Sequence, residues 1–218
     1  MVNDVSLDKA IADENSRQAY LNGISMGDID ICSGLVYDPE GKLRTEFPKT
    51  WMRDEGIGER VVEAFARGVV GDRKDYYAGV GAIPMLIGRI RNMPLFVGKK
   101  LFDGFFSDGE IRHTLRTHEV RHIQQQVKGF EYFDNTEFIK DYVSKRITPK
   151  AFVNMTELDS NTYSLRNLSG YEIRKPYVQG IVERANRDFV SLENGMLNGL
   201  NETEKRYVGP LLDAVSPK

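Results

Sequence analysis

The stretch His113-Thr-Leu-Arg-Thr-His118-Glu119-Val-Arg-His122 holds every histidine in the chain. Its second half reads His-Glu-x-x-His, a spacing that carries meaning only on a helix. There, residues i and i+4 point the same way, so His118 and His122 can offer two imidazoles to one metal ion. Glu119 projects about 100° further round, where it reaches a metal-bound water without being a ligand. His113 lies about 140° from His118 on a straight helix and is read as an ordinary core histidine.

The flanks supply the helix. Ser107-Asp-Gly-Glu110 has the form of a capping box, with Asp108 and Glu110 at the positive end of the dipole. Lys128-Gly129 provides a basic last turn and a glycine beyond it. The signals predict a helix over 108–128. Ile111, Leu115, His118 and His122 share one of its faces, and Val120, Ile123 and Val127 form a second apolar stripe. A helix apolar on two sides is expected to lie between other elements.

This segment resembles the active-site helix of the zincin metallopeptidases. The resemblance implies that His118 and His122 bind Zn²⁺ and that Glu119 is the general base. It covers helix 108–128 and, more loosely, a second helix further on. Arg116 and Arg121 depart from the usual pattern, in which positions around the motif are uncharged. In the family, a third ligand comes from a histidine six residues after the motif or from a glutamate on a following helix. Residue 128 is Lys here and no histidine follows His122, which leaves a carboxylate, as in the gluzincin branch.

The best placed is Glu157, in a segment where Thr148 reads as N-cap, Pro149 as the first helical residue and Gly170 as the terminator. Asp159, Glu137 and Glu172 are rivals. Asn161 stands where thermolysin-like members carry the aspartate that orients a ligand histidine, and is expected as its weaker substitute. Tyr132, Tyr163 and Tyr171 are candidate donors to a developing oxyanion.

The remainder of the chain bounds the reading. A net charge of −2 gives no strong field for nucleic acid or membrane, and neither partner is expected. Residues 61–128 carry a basic excess around the motif helix, either a solvated face or a cleft rim suited to an acidic partner. Cys32 is the single cysteine, so no intrachain disulfide forms. The start lacks a signal-peptide pattern and no apolar run is long enough to span a bilayer, so a cytoplasmic location is expected.

The predicted elements are a helix near 7–21, a strand through Ile29, Ile31 and Ser33, a hairpin turning at Asp38-Pro-Glu-Gly41 and a helix over 59–70. Strands follow over 82–91 and 94–102, either of which could be the edge strand that pairs with substrate in zincins. After the motif come helices over 177–194 and from Asn201, the last interrupted at Gly209-Pro210. Together they predict one domain, 1–218, of α+β, zincin-like class. A small N-terminal mixed sheet (1–107) would pack on the active-site helix, and a mainly helical part (108–218) would carry the metal site. The expected function is a zinc-dependent metallopeptidase acting on a peptide or protein. The alternative is a non-catalytic zincin-like scaffold that binds a partner.

Overall fold

The computed structural model describes residues 5–24, 29–33, 78–80, 93–97 and 99–216. Their helices are α1 (Leu7–Ala12), α2 (Glu14–Asn22), α3 (Asp108–His113), α4 (Val120–Lys128), α5 (Asn135–Val143), α6 (Pro149–Arg166), α7 (Lys175–Asn198) and α8 (Glu202–Val215). A π turn, Thr114–Glu119, joins α3 to α4. The expected 108–128 helix is therefore one helical run containing a wide turn. The chain divides into two compact units, 1–119 and 120–218, and the division falls inside that run.

The α+β expectation is overturned: the protein is helical. Among the described residues, strand is confined to three short pieces, β1 (Ile29–Ser33), β2 (Ala78–Val80) and β3 (Met93–Val97), paired in the order β1-β3-β2. At three to five residues each, these pieces are short beside the helices that make up most of the described residues. The segment 94–102, read as one strand, leaves extended geometry after Val97 and winds into a 3-10 helix, Lys99–Phe102. Since β3 lies between β1 and β2, both its edges are occupied, and it is not a substrate-pairing edge strand. The hairpin at 38–41, the helix over 59–70 and the strand over 82–91 lie outside the described residues.

In the first unit, Asp13 divides the expected 7–21 helix in two. It adopts φ −131° and ψ 118°, and the Ser16 hydroxyl donates to its carboxylate, so Asp13 ends α1 and starts α2. Tyr20, Leu21, Ile24, Leu101, Ile111 and Leu115 form the buried core of this unit. The Tyr20 hydroxyl donates to Asp108 (2.8 Å) in the first turn of α3, and Arg116 Nε donates to the Ile24 carbonyl (3.0 Å) just past the end of α2. Burial, aided by Asp108, raises the Tyr20 pKa above its usual value.

In the second unit, α6 and α7 pack along one another, with α4 against α6 and α8 against both long helices. Phe130, Phe133, Phe138, Phe152, Tyr142 and Tyr207 form an aromatic cluster, with ring centroids 4.2–6.0 Å apart. Rings at these separations attract through their edges and offset faces as well as burying area.

Caps behave as their sequences foretell. Ser107 and Glu110 close a capping box at α3, and Asn201 and Glu204 close another at α8. Thr148 caps α6 with Pro149 at its start, but the helix ends at Arg166, where Asn167 donates to the Tyr163 carbonyl, before Gly170 is reached. Helix α8 runs straight through Gly209-Pro210 rather than breaking there. It is held on both sides of the proline by buried Tyr207, Val208 and Leu211, and that burial offsets the one backbone bond the proline cannot make.

Glu204 accepts from the Asn201 amide (2.9 Å) and the Thr148 amide (2.8 Å), so one carboxylate serves the N-termini of both α8 and α6. Burial pushes its pKa up, but these amide bonds override that and hold the carboxyl below its ordinary value. A depressed folded pKa contributes stability above the unfolded value of about 4.3, which is lost as pH falls through the folded pKa. Glu204→Gln should therefore cost about 1–3 kcal/mol at neutral pH. Urea melts of both proteins should converge as the pH is lowered through this range; a gap that widens on acidification would refute the assignment.

Candidate metal centre

The site is built on α4 and α6. His122 Nε2 lies 3.3 Å from Glu157 Oε1. His118 precedes His122 by one turn of the same helical run. One ligand atom from each of His118, His122 and Glu157 falls within 4.8 Å of the others. Two imidazole nitrogens and one carboxylate oxygen are a donor set that suits zinc. Glu157 is partly exposed, with 37% of its side-chain surface accessible, and His122 is largely covered.

The other ring nitrogen of His122 is also occupied. Nδ1 lies 3.0 Å from Gln125 Oε1 and 3.2 Å from Ser160 Oγ. Gln125 is 1% exposed. Its amide nitrogen donates to the Thr156 carbonyl (3.0 Å), Asp159 Oδ2 (2.6 Å) and Ser160 Oγ (3.1 Å). Three acceptors around that nitrogen fix the amide orientation and aim its oxygen at the imidazole.

Asp159, the rival ligand, is committed elsewhere. It is 1% exposed and takes Arg121 Nε at 2.7 Å, Arg121 Nη2 at 3.1 Å and the Tyr132 hydroxyl at 2.8 Å. Arg121 also donates to Glu131 (3.1 Å) and lies over the Tyr163 ring, 5.2 Å from its centroid. Burial opposes the Arg121 charge, but bonds to Asp159 outweigh it and hold the guanidinium above its usual pKa. Burial, then the Asp159 charge and bond, push the Tyr132 hydroxyl up to about 12. Tyr132 and Tyr163 are thus engaged by this pair. Glu137 sits in the first turn of α5 and pairs with Lys140 at 2.8 Å.

Asn161 is fully buried, and neither its amide nitrogen nor its oxygen meets a hydrogen-bond partner among the described residues. It does not orient His122 here; the groups on Nδ1 are Gln125 and Ser160. Sequence reasoning passed over both, although Gln125 lies three residues after His122 and so on the same side of the helix. Glu119 is buried, at 6% exposed, in the last position of the π turn. Asp188 on α7 is also buried, with Oδ2 unpartnered; burial raises its pKa against the opposing pull of Arg187. Unsatisfied buried polar groups are costly, and of these two residues Asn161 lies on α6, the helix that carries Glu157.

His113 is fully buried and its carbonyl accepts from the Thr117 hydroxyl at 2.6 Å, within the π turn. A hydroxyl bonded back to residue i−4 loosens the α register, and wide turns of this kind recur at functional sites. Three arginines of the basic excess on this run are paired within the chain. Arg112 pairs with Asp108 (2.7 Å), Arg116 with the Ile24 carbonyl and Arg121 with Asp159. No family model matches the chain, and no curated protein or solved structure matches it either.

Removing one partner of a buried ion pair strands the other charge, which typically costs 3–5 kcal/mol. Arg121→Met should therefore destabilise the protein by roughly that amount, and adding Asp159→Leu should recover much of it, as replacement of both charges often does. Thermal and denaturant melts of the two variants check this; a single variant as stable as wild type would show that the pair is not load-sharing with the core.

Proposed function

We propose that this chain is a zinc-dependent hydrolase of the metallopeptidase kind, with His118, His122 and Glu157 as the metal ligands. The observation that carries the reading is the convergence of these three ligand atoms, two from one helical run and one from α6. Zinc bound there would supply Lewis acidity and a water brought toward ionisation near neutral pH.

The remaining work falls to the chain. Glu119, buried one residue after His118, would serve as the general base, accepting a proton from the attacking water and passing it to the leaving amine. Gln125 and Ser160 keep His122 from turning. The polypeptide as substrate rests on the resemblance of the motif helix to zincins and on this donor set. No helix among the described residues is long and apolar enough to cross a membrane.

Purified protein should hold about one zinc per chain, as a three-ligand catalytic site does. His118→Ala and His122→Ala should each abolish it, Glu157→Ala should weaken it severely, and His113→Ala should leave it intact. Elemental analysis decides, and equal zinc in wild type and His118→Ala removes the reading.

Glu119→Gln should keep the metal and lower peptide hydrolysis by about 10²–10⁴-fold, the usual effect of losing a general base. Assays of the zinc-loaded variant on a peptide library cleaved by wild type measure this; undiminished turnover excludes the role.

A further inference from the structure

We infer that Gln125 is the positioning residue for His122, relaying the charge of Asp159 to the imidazole through its amide. The inference rests on the metal-site reading for its purpose, but not for its geometry. Metal-binding histidines generally give their second N–H to a carboxylate or carbonyl, which fixes the ring and strengthens the ligand nitrogen. In this protein the carboxylate does not touch the ring. Asp159 Oδ2 accepts from Gln125 Nε2 (2.6 Å), and Gln125 Oε1 faces His122 Nδ1 (3.0 Å).

The direction of each bond follows from the donors available. Gln125 Nε2 is surrounded by three acceptors, so the amide oxygen has to be the atom facing the ring. An amide oxygen only accepts, so the proton on a neutral imidazole belongs on Nδ1. Ser160 Oγ shares that proton at 3.2 Å. The lone pair then lies on Nε2, the atom facing Glu157. Glu157 would also accept a proton from Nε2, but it is partly exposed and water can serve it instead. Gln125 is buried, and its oxygen has His122 as its partner among the described residues. Leaving that oxygen unpaired is the costlier outcome.

Arg121 has its place in this chain of contacts. A buried aspartate donating its full charge to the site would need a counter-charge, and Arg121 supplies it with two bonds from inside the motif. The amide passes on a polarised bond rather than a proton, so no charge leaves Asp159.

The test uses the full chain. ¹⁵N NMR of metal-free wild type, at a pH where the ring is neutral, should find the His122 proton on Nδ1. A proton on Nε2 overturns the inference without any variant. Gln125→Met keeps the volume and removes the acceptor; it should lose the Nδ1 preference and bind zinc about 10–100-fold more weakly. The charge-conserving exchange Gln125→Glu/Asp159→Asn restores an acceptor on Nδ1 and should recover most of that affinity. A folded Gln125→Met protein with unchanged zinc affinity and the proton still on Nδ1 overturns the inference while the metal reading stands. A wild type that binds no zinc, yet switches tautomer on Gln125→Met, fails the metal reading and supports the role of Gln125.

Discussion

The Arg121–Asp159 pair sets the registration of α4 on α6. Both side chains are almost wholly buried, at 5% and 1% of their surface, so each charge has given up its water. That loss is tolerable only with good geometry and a full set of bonds. Asp159 obtains them from Arg121, Gln125 and Tyr132. A slip of one residue along either helix would break these together. With the pair in register, His122 lies one residue beyond Arg121 and Glu157 two before Asp159, and the two meet at 3.3 Å. The motif arginine that looks foreign to a metal helix is thus what aligns it.

Local chemistry was the legible part of the fold. The capping boxes at Ser107 and Asn201, the Thr148-Pro149 start of α6 and the left-handed Gly129 after α4 all depend on residues a few positions apart. What failed depended on distant partners. Alternation through 29–33 marked a strand but could not say that it would pair in parallel with Met93–Val97. Gly209-Pro210 carries a strong breaking signal, overridden by the burial of Tyr207, Val208 and Leu211. Asp13 is the local exception: it reads as one more helical residue until its extended backbone and its bond from the Ser16 hydroxyl are seen.

The same division runs through the site. The histidines share a face by helix geometry alone, and Glu157 could be proposed because a capped helix returns with a carboxylate near its middle. Which carboxylate is spoken for depends on Arg121, 38 positions from Asp159 in sequence. That pairing has no local signature. Gln125 had one, its spacing from His122, but glutamine at i+3 is common on helix surfaces. Only its burial, at 1% exposure, sets it apart.

The π turn at Thr114–Glu119 amounts to one extra residue threaded into a helix, and one residue is worth about 100° of phase. Upstream of it, Ile111 and His113 are buried in the first unit; downstream, Val120, Arg121 and Gln125 are buried in the second. A uniform α-helix would tie these two sets of faces to a single clock. The wide turn breaks that clock within the helical run itself, and His118 and Glu119 lie where it is reset.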